Sequence, residues 1–241
     1  MILLFTDFSA FGPYVGQVKL LLAQESPNTR VVDLMADAPA FNPKAAAYLL
    51  AALAERAPAN AVHLAVVDPG VGGDRLPVMV EVDGRYFVGP DNGLFEICAR
   101  RSSDACWWRI DWQPQELSAS FHGRDLFAPV AARLAKGQKV QSTQMKCGNP
   151  LAADWPDQLA EIIYIDHFGN AVTGIQTQTL DDEVRVRIGE KEYPRKAVFS
   201  EVPLGEAFCY ANSLGLLEVA VNRGRASDIL DLEIGSKIEL V

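Results

Sequence analysis

The chain is poor in the residues that metal and redox chemistry use. Its 241 residues include three histidines, His63, His122 and His167, and four cysteines, Cys98, Cys106, Cys147 and Cys209. No CxxC pair occurs and these ligand types are scattered, which excludes a structural zinc site with its short paired spacings. Positive charge is also short. Lys and Arg number 22 against 31 Asp and Glu, leaving a net charge of −9, so no affinity for nucleic-acid backbones is expected. No apolar run reaches the ~18–20 residues of a membrane helix, and no membrane partner is expected. Neither GxGxxG nor GxxxxGK followed by Ser or Thr is present, which removes the usual dinucleotide and nucleotide-triphosphate loops. Internal repeats and low-complexity tracts are missing too. The start, MILLFTDFSAFG, has no basic run before its apolar residues and meets Asp7 at once, so it reads as a first strand rather than a leader. The cysteines are then expected to be free thiols in a reducing cytoplasm.

What is present is a globular chain, 49% hydrophobic, with ample material for a core. The first half alternates two textures. Residues 1–5, 30–34 and 61–67 are short apolar runs of the kind that fill buried parallel strands. Residues 14–24 and 42–56 have helical spacing, and Asn42 followed by Pro43 is a helix-start signal. Residues 78–82 and 85–88 flank Asp83-Gly84 and read as a hairpin. Residues 91–100 begin a further helix, and residues 125–136 form one that stops before Gly137. This alternation predicts an α/β domain, 1–150, with a mostly parallel or mixed sheet. Residues 148–157, GNPLAADWPD, are rich in turn formers and read as a linker. Beyond it, short strand-like runs at 161–165, 184–188, 207–210, 216–221 and 237–241 predict a small all-β, barrel-like domain, 158–241.

Ligands of open α/β sheets sit at the carboxyl ends of the strands. Three polar segments follow apolar runs here: Thr6-Asp7-Phe8, Asp68-Pro69-Gly70-Val71-Gly72, and Pro90-Asp91-Asn92-Gly93. Each Asp could equally cap a helix or close a turn. Three together, one in a loop with three glycines, point to a site, and the glycines to close backbone approach by a ligand. Among the histidines, His122 in FHGRD is the best general-base candidate, with the alternative of a surface residue next to an Asp125 helix cap. His63 alternates within a strand and is expected to pack in the sheet. His167 lies in a turn and is expected to be exposed.

Five motifs in order carry a more specific signal: TDF with YVG, VDPGVGGDR, GPDNGLF, FHGRDLFAPVAA and YIDHFGNAVTGI. With them the chain resembles the S-adenosyl-L-methionine hydroxide adenosyltransferases, relatives of the fluorinase and chlorinase enzymes, over nearly its whole length. The resemblance implies an α/β domain followed by a β-barrel, in homotrimers whose sites lie between subunits. It implies attack of water on ribose C5′ of S-adenosyl-L-methionine, releasing adenosine and L-methionine, with no cofactor and no metal. The family's catalytic trio falls on Asp68, Arg75 and His122. Its ribose-diol carboxylate falls on Asp7, and its aromatic wall on Phe41. Asn170 and Phe199 match adenine contacts, completed by the backbone around Val221 and Arg223. Asp166 and Ser213 match contacts to the methionine ammonium and carboxylate. Departures sit at the amino-acid end: Ser9 and Gly12 replace a Gly and an Asp, Met35-Ala36 replaces Thr-His, and Leu214 stands where halogenating relatives have Arg. The short stretch between PDNG and FHGRD, together with His122, favours water over halide. A nucleoside-binding sensor without turnover and a halide-dependent synthase are the competing readings.

Overall fold

The computed structural model describes residues 1–146 and 152–241. The chain divides into two compact units, Met1–Asp154 and Trp155–Val241. Part of the expected linker, residues 148–151, lies outside the described residues, as does Cys147.

In the first unit the elements run β1 (Ile2–Thr6), α1 (Tyr14–Glu25), β2 (Val31–Met35), α2 (Pro43–Ala54), β3 (Val62–Val66), β4 (Pro77–Val82), β5 (Arg85–Pro90), α3 (Glu96–Arg100), β6 (Ala105–Ile110), α4 (Ala128–Ala135) and β7 (Ser142–Met145). They build one seven-stranded sheet in the order β2-β1-β3-β5-β4-β6-β7. β1 is parallel to β2 and β3, and β3 to β5, whereas β4, β6 and β7 join antiparallel. β1 and β3 are buried along their whole length, which is why they read as unbroken apolar runs. Alternate side chains go to different clusters. Ile2, Leu4, Val62 and Leu64 pack with Val18 and Leu22 of α1 and Val130 of α4, while Leu3 joins Ala57 and Ala61. Asn42 caps α2 by accepting the Ala45 N–H at 3.0 Å, with Pro43 in the first turn.

The order β1-β3-β5 puts three parallel carboxyl ends side by side, so the loops opening at Asp7, Asp68 and Asp91 leave the sheet together. At Gly89 the packing has no room for a side chain: a Cβ there would lie 2.1 Å from the Ala65 carbonyl oxygen and 2.9 Å from the Phe95 ring.

The second unit is built from β8 (Leu159–Ile165), β9 (Ala171–Gln176), β10 (Arg185–Ile188), β11 (Lys191–Pro194), β12 (Ala207–Ala211), β13 (Leu216–Val221), the single-turn α5 (Ala226–Ile229) and β14 (Glu239–Leu240). These form two antiparallel sheets, β12-β13-β9-β8 and β11-β10-β14. Their shared core includes Ile162, Ile175, Val186, Leu217, Val219 and Ile238. Among the described residues the sheets do not close into the expected barrel. Only single bridges, Arg195 to Cys209 and Glu161 to Lys237, join their edges. β14 is only two residues long, and β11 ends at Pro194, which has no amide to donate, so beyond it pairing shrinks to the single Arg195 bridge.

Four strands escaped the sequence reading. β7 and β11 are short and largely polar, β9 is interrupted by Gly174, and β6 (ACWWRI) has no flanking hairpin signal. Of the helix expected over 91–100, only Glu96–Arg100 is helical. Of 125–136, the first turn belongs to a wide π-type turn, Gly123–Phe127. Cys98 and Cys209 are buried free thiols, held protonated because burial pushes them up to about 12 and about 11. His63 lies flat on Phe87 at 4.3 Å, and burial pulls it down to about 4, so it is a neutral core residue. Among the described residues no helix is long and apolar enough to cross a membrane.

Gly89→Ala should destabilise the first unit by about 3 kcal/mol, since backbone rather than a flexible side chain blocks the added methyl. Urea unfolding would check this; an unchanged midpoint would show that β3 and β5 can separate.

Candidate functional site

Asp7 begins the loop after β1. Its Oδ2 accepts the Phe41 N–H at 3.2 Å, and Phe41 has a left-handed φ of +57° just before the α2 cap. Burial raises the Asp7 pKa above the usual carboxylate value, partly offset by the Phe41 bond, and the nearby Asp68 charge adds to the rise.

Asp68 begins the loop after β3. Arg75, at the far end of that loop, grips it with a fork: Nε to Oδ1 at 3.1 Å, Nε to Oδ2 at 3.0 Å and Nη2 to Oδ2 at 2.6 Å. The pair is nearly dry, with side-chain exposures of 10% for Arg75 and 5% for Asp68. Arg75 Nη2 also reaches His122 Nδ1 at 2.9 Å. A guanidinium can only donate, so Nδ1 accepts and the neutral ring carries its proton on Nε2. Burial and the Arg75 charge lower the His122 pKa below its usual 6.5, against weaker upward pulls from Asp68 and Asp125.

The Gly-rich loop has a structural explanation. Gly72 has φ +80°, and a Cβ on it would lie 2.6 Å from the Ala119 carbonyl oxygen, so its glycine lets the 68–75 loop press on the segment carrying His122. Asp125 is no plain helix cap. It accepts the Ser118 N–H at 3.0 Å and a two-pronged bond from Arg124, closing the 118–125 loop. The third loop supports the second: Asn92 Nδ2 donates to the Val67 carbonyl at 2.9 Å.

Asp7, Phe8, Tyr14, Phe41, Asp68 and His122 line one cavity of about 340 Å³, with Arg75 behind Asp68 and over the Phe127 ring at 5.2 Å. Phe8, Tyr14 and Phe121 pack edge-on or tilted at 5.5–6.1 Å and form its apolar side. With Asp68 balanced by Arg75, Asp7 leaves the cavity net negative, a setting for a cationic ligand.

A second cavity, of about 580 Å³, belongs to the second unit. It is lined by Asp166, Asn170, Phe199, Tyr210, Val221 and Arg223, among others. Asp166 directly follows β8 and Asn170 directly precedes β9. The Asn170 N–H and Nδ2 donate to the two Asp166 oxygens at 2.8 and 3.0 Å. Phe199 stands edge-on to Phe208 at 4.9 Å and to Tyr210 at 5.3 Å. Arg223 has φ +57°, which turns the backbone after β13. Ser213 does not line this cavity; it is exposed in the turn between β12 and β13. His167 is exposed as expected.

Sequence reasoning missed Phe8, Tyr14 and Phe121 as lining residues, and Tyr210 entirely. Tyr210 reads only as the last residue of a strand, and no spacing marks which face of β12 meets a pocket. Among the described residues no group of three or more His, Cys, Asp or Glu is placed to hold a metal ion.

The sequence models of the SAM hydroxide adenosyltransferase N-terminal and C-terminal domains match residues 2–144 and 160–239. The chain belongs to this family. It is 37% identical to the (R)-S-adenosyl-L-methionine hydrolase of Thermus thermophilus, covering 98% of this chain and 97% of that protein. The protein of the same name from Salinispora tropica is 36% identical, with coverage of 98% and 95%. Among solved structures, an uncharacterized conserved protein from Thermotoga maritima superposes with TM-score 0.83 at 32% identity, covering 100% of this chain and 99% of that one. A conserved hypothetical protein from Thermus thermophilus gives TM-score 0.78 at 34% identity, with coverage of 100% and 99%.

Arg75→Gln should raise the pH at which the His122 ring protonates, because it removes a neighbouring cation and leaves Asp68 without its counter-ion. Titration of the ring by NMR would show this; an unmoved midpoint would mean that Arg75 does not act on His122.

Proposed function

We propose that this protein hydrolyses S-adenosyl-L-methionine to adenosine and L-methionine. The observation that carries the reading is the Arg75 guanidinium bonded at once to Asp68 and His122, at a cavity shared with Asp7. Water attacks C5′ in line with the C5′–S bond, whose electron pair leaves with sulfur as the neutral thioether of methionine. The leaving group starts as a cation, so no acid is needed to protonate it. His122 donates from Nε2 to the water oxygen and orients it, leaving a lone pair for attack. The protonated alcohol that forms is a strong acid, so Asp68 is base enough to take its proton even while bound by Arg75. Asp7 takes the two ribose hydroxyls and Phe41 walls the nucleoside.

The second unit supplies the remaining contacts in this reading. Asn170 reads the adenine edge, Phe199 stacks on it, and the backbone of Val221 and Arg223 closes the pocket. Asp166 holds the ammonium and Ser213 the carboxylate of the methionine end. Residues 1–150 thus form the domain with the catalytic trio, and 158–241 the domain that completes the adenine and methionine site. The edge bridges at Arg195 and Glu161 support treating the latter as a partly closed barrel. The protein works as a homotrimer with sites between subunits, in the cytoplasm, without cofactor. Water rather than halide is the nucleophile because His122 occupies the position that orients it.

Purified protein incubated with S-adenosyl-L-methionine in oxygen-18 water should release adenosine carrying the heavy oxygen, plus free methionine. 5′-Halo-5′-deoxyadenosine formed with chloride present would reassign the nucleophile, and intact substrate would favour the sensor. His122→Ala should lower kcat about a hundredfold or more while adenosine still binds. Protonating His122 on Nδ1 would break its bond from Arg75, and its pKa is lowered, so the rate should fall with a midpoint below the ordinary histidine value. Mixing Asp68→Ala with Asp166→Ala protein under subunit exchange should restore activity. No recovery, with exchange confirmed, would place both residues in sites built from a single subunit.

A further inference from the structure

We propose that Glu218 is a positioning residue for the amino-acid end of the substrate, acting through Tyr210 and Asn212. The proposal rests on the reading above, that Asp166 and Ser213 meet that end.

Glu218 sits in the middle of β13, between Leu217 and Val219 of the core, and is only 5% exposed. Among the described residues no cation pairs with it. A carboxylate there works against core building, because an isolated charge is costly to bury and a β-branched residue would fit the strand. Burial pushes its pKa upward, and the Asp166 charge adds to the push.

Its two hydrogen bonds show what it holds. Tyr210, directly opposite on β12, donates its hydroxyl at 2.5 Å, and Asn212 donates Nδ2 at 2.8 Å. The first bond fixes the Tyr210 ring, which lines the second cavity beside Phe199, Asn170 and Asp166. The second fixes which way the Asn212 amide faces. Its Oδ1 then accepts the N–H groups of Leu214 at 2.9 Å and Leu216 at 3.0 Å, and the Asn212 carbonyl accepts the Gly215 N–H at 3.0 Å. That set of bonds defines the turn that presents Ser213. One buried carboxylate therefore locks a pocket wall and a turn outside the pocket into a single geometry. Position 214 is Leu, so no Arg is present there to hold a carboxylate by charge. Recognition of that end depends on the placement of the Ser213 turn, which Glu218 sets.

Glu218→Gln keeps the shape but removes the charge, and its amide must either face the Asn212 Nδ2 donor or reverse the Tyr210 hydroxyl from donor to acceptor, so a charge-assisted bond is lost either way. KM for S-adenosyl-L-methionine should rise about tenfold, the cost of one charged hydrogen bond misplaced, with kcat within about twofold. The Kd values of adenosine and 5′-methylthioadenosine, which lack the amino-acid end, should stay within about twofold. Tyr210→Phe should raise KM in the same direction, and the double variant should be less than additive. If Glu218→Gln fails to fold, the Tyr210→Phe split between KM and kcat decides alone. An unchanged KM, or equal weakening of adenosine and S-adenosyl-L-methionine, overturns the proposal. Failure of the wild type to cleave S-adenosyl-L-methionine would instead overturn the proposed function, a separate result read before any variant is made.

Discussion

The Arg75 guanidinium joins a carboxylate in the loop after β3 to an imidazole that lies 47 residues beyond Arg75 itself. Replacing a buried ion pair by apolar groups is often neutral or stabilising, so this pair is poorly explained as a stability device. Its geometry explains more. Arg is charged at every accessible pH and cannot accept a hydrogen bond, so it fixes the orientation of the Asp68 carboxylate and dictates which nitrogen of His122 carries the proton. The loops bend to make the contact: Gly72 lets the 68–75 loop touch Ala119, and Asp125 ties back Ser118 so that His122 faces the cavity.

In the proposed reading the two units divide the chemistry between the carboxyl ends of parallel strands and a pair of small antiparallel sheets. In the first unit, parallel strands with buried faces deliver carboxylates to one edge, where a cavity is net negative and apolar on one side. In the second, Asp166 and Asn170 satisfy each other across a hairpin turn and aromatic rings fill the wall. The first is suited to a charged reaction centre. In that reading the second recognises a flat ring and a charged tail.

Much of this was legible from residues. Asn42-Pro43 marked the start of α2, Asp83-Gly84 the β4–β5 hairpin, and unbroken apolar runs the buried strands β1 and β3. Asp68, Arg75 and His122 were named from motifs, and they are hydrogen-bonded to one another. Other features were not legible, for physical reasons. The glycines of the 68–75 loop suggested a ligand, but Gly72 serves contact with Ala119, a neighbour set by the fold. Asp91 and Asn92 looked like a third arm of the site, yet Asn92 braces Val67. Strands β6, β7, β9 and β11 lack strong local signals and are held by pairing with their neighbours in the sheet order, where their backbone groups find partners. Tyr210 and Glu218 read as ordinary strand positions, although a buried Glu opposite a Tyr is a polar pair that only the register of β12 and β13 creates.

The sequence alone determined the local matters: which runs become strands or helices, where turns and caps fall, and which chemical groups are available, because these depend on residues near one another in the chain. The strand order β1-β3-β5, the tautomer of His122, the contact of Gly72 with Ala119 and the burial of Glu218 were decided only by the tertiary structure. Each of these is a relation between segments distant in sequence, and the energy of a hydrogen bond or a buried charge depends on what surrounds it once the chain has closed.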